Sequence, residues 1–151
     1  MRRFNHLSEL APLIGHEIAI SPWLTVTQEQ IQLFGEVTDD RQWIHMDPSL
    51  ASQGPFGQTI AHGFLTLSLL PKFFATSFVI EQTRLRINYG LNKVRFPAPV
   101  PSQSRLRAHF ILIDHIKLSE DSYQLLWQIS IEREGETKPV CIAELITREY
   151  V

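Results

Sequence analysis

The side chains best suited to acid–base chemistry are concentrated in one stretch of the chain, residues 38–63. Within it Asp40 and His45 form an Asp-x4-His pair, and His62 follows further along. A carboxylate and an imidazole that share one water molecule are able to orient it and transfer its protons, because histidine titrates near neutral pH. The pair of Asp40 and His45 therefore indicates a hydrolytic or hydration reaction.

A purely structural interpretation of the same residues stays open from the pattern alone. In that interpretation Asp40 ends the first helix and His45 is a partly buried imidazole with satisfied hydrogen bonds. Asp47 caps the turn that begins at Pro48. Long ordered loops of this kind often carry function on a rigid scaffold, so this segment is where we expect the site.

The sequence gives less support to a metal centre, a serine or cysteine nucleophile, or a nucleotide-binding loop. A metal centre is disfavoured because no recurring ligand pair such as H-x-x-x-H fixes a geometry for Asp39, Asp40, His45 and His62. Ser68 follows no G-x-S-x-G motif, and Cys141 lies in an apolar strand, where a buried and inert thiol is expected. Since no Gly-rich nucleotide loop is present either, we expect neither a metal nor a cofactor.

The composition is that of one globular domain, with 44% hydrophobic and 20% charged residues in a chain of 151. We therefore expect a single domain over residues 1–151. The formal net charge of −2 argues against nucleic acid or anionic lipid as a partner. The most apolar window, residues 60–80, contains His62, Pro71 and Lys72 and does not suit a membrane span. One cysteine and no recognisable signal sequence predict a cytoplasmic protein.

Two helices are predicted ahead of the strands. Thr27 and Gln30 fit a capping box, and the apolar spacing that follows predicts a helix over about residues 28–37. The run from Gly63 to Phe74 is apolar on nearly all sides, which predicts a helix enclosed by other elements. Pro71 should kink or end this helix.

After about residue 83 the apolar side chains alternate, as expected for strands. The alternation marks four segments, at about residues 85–89, 106–112, 123–131 and 140–147. The turns between them are short enough for an antiparallel meander. Helices followed by consecutive strands predict an α+β fold in which one apolar helix lies on a curved antiparallel sheet.

Three motifs make the chain resemble the MaoC-like, or hydratase 2, family of hot-dog-fold enzymes. The run from Phe34 to His45 resembles the family signature of aromatic, aliphatic, small residue, Asp, spacer and His. The run from Ile60 to Phe64 resembles the start of the family's central helix, and Arg95 to Val100 its later strand-entry motif. The resemblance implies a single hot-dog fold with a curved antiparallel sheet wrapped around a central apolar helix. The length also resembles that of small bacterial (3R)-hydroxyacyl-thioester dehydratases.

The chain departs from the usual family run, Gly-Asp-x-Asn-Pro-Leu-His, where Asp39 replaces the Gly, Gln42 the Asn and Trp43 the Pro. Gln42 keeps an amide donor and acceptor on a longer side chain, so we expect it to make the same local hydrogen bonds with a different reach. Trp43 introduces a large ring, which we expect to narrow or redirect the acyl channel.

The resemblance implies reversible syn addition of water to a trans-2-enoyl thioester, which gives a (3R)-hydroxyacyl thioester. Asp40 and His45 would hold the water, and Gly63 would place backbone N–H groups of a helix N-terminus at the thioester oxygen. Ser68 matches a hydroxyl that family members place near the catalytic histidine, whereas His62 would orient the loop from outside the catalytic set. A turn glycine and a small helix residue are the structural alternatives for Gly63 and Ser68.

The implied substrate is an acyl-CoA or acyl-carrier-protein thioester. Positive charge is concentrated between residues 84 and 107, and Arg95 is the residue that we expect to bind the phosphates. Phe64, Leu67 and Trp43 are the expected walls of an acyl tunnel. The resemblance also implies a homodimer with the substrate groove at its interface. Two alternatives stay open, an acyl-CoA thioesterase on the same scaffold and a catalytically idle acyl-thioester binding protein.

Overall fold

Short helices occupy the first half of the chain and long strands the second. The computed structural model describes all residues from Met1 to Val151. In chain order the elements are β1 (Arg2–Phe4), a 3-10 helix (Leu7–Leu13), β2 (Glu17–Ile20), β3 (Leu24–Thr25), α1 (Gln28–Thr38), α2 (Trp43–Met46), α3 (Pro48–Ser52), α4 (Gly63–Ser68), α5 (Leu70–Ser77), β4 (Phe78–Ile80), β5 (Leu85–Arg95), β6 (Arg105–Ser119), β7 (Ser122–Arg133) and β8 (Cys141–Tyr150).

Six strands form one antiparallel sheet in the order β2, β6, β7, β8 and β5, with β3 also paired to β6. The consecutive strands β6, β7 and β8 confirm the predicted meander. The first predicted strand, β5, is an exception because it pairs with β8 at the far edge and not with β6. Prolines at 97, 99 and 101 interrupt the segment after β5, so the chain crosses to the other side of the sheet before it pairs again.

The inner face of the sheet carries the alternating apolar side chains that predicted the strands. On β6 and β7 the fully buried members are Leu106, Ala108, Phe110, Leu112, Leu125, Trp127, Ile129 and Ile131. Helix α5 packs on this face through Phe74, whose ring lies 4.4 Å from Phe110 and 5.4 Å from Trp127, centroid to centroid. These residues belong to a core of 27 buried hydrophobic side chains. The α+β arrangement of a sheet around an apolar helix is the hot-dog fold.

The helices match the predictions with two differences. Thr27 and Gln30 form the capping box, and α1 runs over the predicted residues. The central helix is divided at Leu69 into α4 and α5, and Pro71 lies in the first turn of α5, where its missing N–H costs little. The prediction of an enclosed helix is wrong for the start of α4, because Phe64 is 69% exposed. No helix is both long and apolar enough to cross a membrane.

Phe74→Ala should lower the free energy of unfolding by about 3–5 kcal/mol, because a buried ring that contacts other aromatic rings is removed. Phe64→Ala is the matched control on the exposed side of the same helical region, and its effect should stay within about 0.5 kcal/mol. Urea denaturation followed by circular dichroism measures both. An equal decrease in the free energy of unfolding in Phe74→Ala and Phe64→Ala would contradict a core centred on α5.

Candidate active site

Asp40 is placed by a sharp turn after α1. The turn residue, Asp39, adopts the left-handed conformation with φ 57° and ψ 19°, which Asp tolerates better than most residues. Its own side chain points to solvent, 92% exposed, and pairs with Arg41 at 3.4 Å. Asp39 therefore lies outside the cluster that Asp40 forms with the two histidines, and it fills a conformation that otherwise favours glycine.

The Asp40 carboxylate is half exposed and has one hydrogen-bond donor, the Gln42 side chain, whose Nε2 lies 2.9 Å from Oδ1. This hydrogen bond is the main reason that the pKa of Asp40 is lowered, and nearby His45 and His62 act in the same direction against the effect of burial. Asp40 is thus ionised at neutral pH. Gln42 makes the local hydrogen bond that was expected of the amide in its place.

His45 lies on the short helix α2 and is 6% exposed. Its Nδ1–H donates to the Ile60 carbonyl oxygen at 2.7 Å, and since a carbonyl only accepts, the neutral ring carries its lone pair on Nε2. Burial lowers the pKa of His45, with a smaller opposing effect from the hydrogen bond to Ile60. The ring is therefore a neutral imidazole that presents a proton acceptor.

Gln28 and Thr59 hold α2 in place, and sequence reasoning missed both. The Gln28 amide donates to the His45 carbonyl oxygen at 2.9 Å and accepts from the Thr59 hydroxyl at 2.5 Å. The Ile60 N–H donates to the Ile44 carbonyl at 2.9 Å. No spacing in the sequence indicates these links, because they join α1, α2 and the segment before α4 across long separations.

His62 lies against both members of the pair. Its ring stacks on the His45 ring with centroids 3.8 Å apart and planes inclined by 26°. Its Nε2–H donates to the Asp40 main-chain oxygen at 2.9 Å. Polar atoms of Asp40, His45 and His62 lie within 4.8 Å of one another, but nearly parallel rings do not direct two lone pairs to one ion at about 2 Å. The cluster suits a shared water better than a metal.

An apolar cavity of about 320 Å³ opens beside His45. Its walls come from the segment before α4, from α4 and from the loop after β5, and they include His45, Ile60, Gly63, Thr66, Phe96 and Val100. Asp40 does not line this cavity, and its side chain is more exposed than those of the two histidines. An apolar chamber with one imidazole and few polar groups suits an acyl group.

Gly63 is the first residue of α4 and lies in the cavity wall. The first hydrogen bond of this helix runs from the Thr66 N–H to the His62 carbonyl, which leaves the preceding N–H groups without a helical partner. A Cβ at position 63 would lie 2.7 Å from a ring carbon of Phe96. Glycine is therefore required for the Phe96 ring to close the wall over the helix start.

Ser68 does not line the cavity beside His45. It lines a second cavity of about 280 Å³ between the central helix and β5, together with Leu67 and Leu91. The hydroxyl residue in the wall of the His45 cavity is Thr66, which is buried and hydrogen-bonds the His62 carbonyl at 3.5 Å. The motif match had suggested the serine, but two positions along an α-helix turn a side chain by about 200°.

The other expected substrate residues are not grouped around His45. Trp43 packs on Gly54, where a Cβ would meet the indole at 2.8 Å, and it borders a separate shallow site with Leu50. It therefore does not narrow the His45 cavity. Arg95 is exposed and donates to the Val94 carbonyl at 2.7 Å. Burial raises the pKa of the Cys141 thiol to about 11, which keeps it protonated.

The hot-dog fold with an Asp and a His beside the first turn of the central helix defines the class of this protein. The chain belongs to the MaoC like domain family, whose sequence profile matches residues 9–124. It is 48% identical over 148 residues to 3-hydroxyacyl-thioester dehydratase Z of Mycobacterium tuberculosis, with 98% of each chain covered. It is 41% identical over 143 residues to nodulation protein N of Rhizobium meliloti, covering 93% of this chain and 88% of the relative.

Two solved structures share the fold. The unliganded R-hydratase PhaJ1 from Pseudomonas aeruginosa superposes with a TM-score of 0.71 at 23% identity, covering 95% of this chain and 84% of that one. The (R)-hydratase from A. caviae involved in PHA biosynthesis gives a TM-score of 0.67 at 18% identity, covering 89% of this chain and 94% of that one. At these identities the comparison establishes the fold alone.

The His45 ring should titrate with a midpoint below the ordinary histidine value of about 6.5, because burial disfavours the imidazolium. Asp40→Asn should lower the midpoint further, since the Asp40 charge stabilises the protonated ring. NMR titration of the His45 ring resonances measures this midpoint in the native protein and in Asp40→Asn. A midpoint at or above about 6.5 in the native protein would contradict the neutral acceptor.

Proposed function

We propose that the chain catalyses reversible hydration of a trans-2-enoyl-CoA or acyl-carrier thioester to the (3R)-hydroxyacyl thioester. The observation that carries the proposal is a neutral His45 with its Nε2 lone pair free, beside an ionised Asp40 and an apolar cavity. The name of the dehydratase that is 48% identical over nearly the whole chain supports the same reaction.

The water molecule is held between Asp40 and His45. One carboxylate oxygen of Asp40 and one ring nitrogen of His45 lie within 4.8 Å of each other, a span that one water bridges with two hydrogen bonds of about 2.8 Å each. Both groups are acceptors in these protonation states, so each takes one hydrogen of the water. The oxygen attacks C3, one acceptor takes a proton, and that proton is returned to C2 on the same face.

Negative charge develops on the thioester oxygen as C3 is attacked. The free N–H groups at the start of α4 are the donors that face this oxygen, and Gly63 lies in the cavity wall where the thioester is bound. Donors fixed in a helix start need little reorganisation during the reaction. The helix start at Gly63 thus contributes main-chain hydrogen bonds, while Asp40 and His45 hold the water and one of them transfers its proton.

The phosphates of the carrier bind near the end of β5. Arg95 has an exposed guanidinium without a carboxylate partner and directly precedes the loop from Phe96 to Val100 that lines the cavity. A cation at the mouth of an apolar chamber suits a substrate with a charged carrier and an apolar acyl chain. Arg95 is therefore proposed to contact CoA or the phosphopantetheine of a carrier protein.

Purified protein should remove the enone absorbance of crotonyl-CoA without releasing free thiol. Asp40→Asn and His45→Gln should each lower turnover by about 10²–10⁴-fold with an unchanged circular dichroism spectrum, because each removes one proton-transfer group. Thiol release would identify a thioesterase instead. No reaction with any enoyl chain length from crotonyl to dodecenoyl would favour an acyl-thioester binding protein.

The functional unit is proposed to be a homodimer joined along β5. This strand of 11 residues is the edge of the sheet, and its apolar residues Leu85, Ile87, Tyr89 and Leu91 are 40–54% exposed. A long exposed apolar edge strand is a surface that proteins normally cover. A second copy paired along β5 would cover it in both protomers and continue the sheet.

Light scattering should give a mass near twice the 17.4 kDa of one chain. Ile87→Lys on β5 should shift the protein to monomer, because it places a charge in the apolar surface that the second copy would cover. Val37→Lys is the control, since Val37 is 86% exposed on α1, and this variant should keep the native mass. A native protein with the mass of a single chain would refute the dimer.

We also propose that the hot-dog domain spans residues 1–151 and acts in the cytoplasm. The strands β7 and β8 extend to Tyr150 and lie inside the sheet, which supports a domain longer than the 9–124 match. The one cysteine, Cys141, is a buried free thiol, as is usual in a reducing compartment.

A further inference from the structure

His62 is the most buried ionisable group near the site that the proposed mechanism does not use. It is 3% exposed and occupies the position just before α4. One face of its ring lies on His45, and its ring centroid lies 5.1 Å from that of Phe34. A Cβ on Gly35 would come within 3.4 Å of its Cε1 atom. The ring is therefore enclosed by α1, α2 and α4.

The enclosed ring holds the backbone of Asp40. The Nε2–H of His62 donates to the Asp40 carbonyl oxygen at 2.9 Å, directly after the left-handed residue Asp39. The Asp40 side chain itself has only one hydrogen-bond donor, Gln42, which is also exposed. The position of the Asp40 carboxylate therefore depends on where His62 holds its main chain.

The same ring restricts His45. The hydrogen bond from His45 Nδ1 to Ile60 fixes one edge of the imidazole, but an edge contact alone leaves the ring free to tilt about that bond. The face of His62 at 3.8 Å removes this freedom because a tilt would bring the rings into overlap. The hydrogen bond to Ile60 and the stacking on His62 together fix the direction of the His45 Nε2 lone pair.

We propose that His62 is a positioning residue that aligns Asp40 and His45 with each other, an inference that rests on the proposed hydration. It acts on Asp40 through a hydrogen bond and on His45 through ring stacking, and it does not touch the substrate. Its Nδ1 is buried without a hydrogen-bond partner, a cost that a residue serving only to fill space would avoid. An apolar side chain of similar shape would pack there without this cost.

Two substitutions separate the two contacts. Phe at position 62 keeps a flat ring against His45 but has no N–H for the Asp40 carbonyl, whereas Gln keeps an amide donor but has no ring. His62→Phe and His62→Gln should each lower kcat for crotonyl-CoA by about 10²-fold, the scale that a 1 Å misplacement of reacting groups costs. KM should stay near the native value, because His62 makes no contact with substrate.

The control is Leu65→Val, which disturbs buried packing on α4 at a residue that does not line the His45 cavity. It should keep kcat near the native value even if its thermal unfolding midpoint falls as far as in the His62 variants. Exchange of the His45 Nδ1–H proton with water reports the hydrogen bond to Ile60. This exchange should be faster in His62→Gln, which has no ring to hold His45, and should stay near the native rate in His62→Phe and Leu65→Val. Native kcat in both His62 variants, or a loss that only follows the loss of folded protein, would overturn the proposal.

The exchange measurement separates this proposal from the proposed reaction. If the native protein does not hydrate enoyl thioesters, the proposed function fails, yet His62 still holds the His45 ring if exchange of its Nδ1–H proton is faster in His62→Gln. If hydration occurs and neither kcat nor this exchange rate changes on substitution, the positioning role fails and the function stands.

Discussion

The hydrogen bond from His45 Nδ1 to the Ile60 carbonyl, 2.7 Å long, is the interaction on which the site depends. It selects the tautomer, because a carbonyl accepts only and so the free lone pair must be on Nε2. It also joins α2 to the segment that leads into α4 and the cavity. The sheet and its core consist of other side chains, because His45 is not one of the 27 hydrophobic residues of the core, so losing this junction would chiefly release the imidazole from the cavity wall.

Two glycines, Gly35 and Gly63, allow close packing around this junction. A Cβ on Gly35 would lie 2.6 Å from the Met46 sulfur and 3.0 Å from the Asp40 carbonyl oxygen, so a side chain there would displace the Met46 thioether of α2 and crowd the Asp40 main chain. A Cβ on Gly63, at the start of α4, would likewise collide with the Phe96 ring. In both places the glycine is selected by close packing around the site, and neither has a positive φ.

The departures from the family signature have local explanations. Asp39 takes the left-handed turn conformation in which glycine is usual. Gln42 reaches the Asp40 carboxylate with its longer amide and lowers the pKa of that group. Trp43 packs on Gly54, so its large ring lies there and not in the His45 cavity. The substituted signature therefore preserves the arrangement of Asp40 and His45.

The sequence by itself determined the long elements and the reactive pair, because periodicity and capping are local and His45, on the short helix α2, lies only five residues after Asp40. It predicted α1, the four long strands β5 to β8 and the apolar face of the sheet, but not the short strands β1 to β4 or the 3-10 helix. Only the tertiary structure decided that β5 pairs with β8, that Ser68 faces another cavity and that His62 stacks on His45. Periodicity tells which side of an element is buried, but which neighbour lies there depends on contacts between segments distant in the chain.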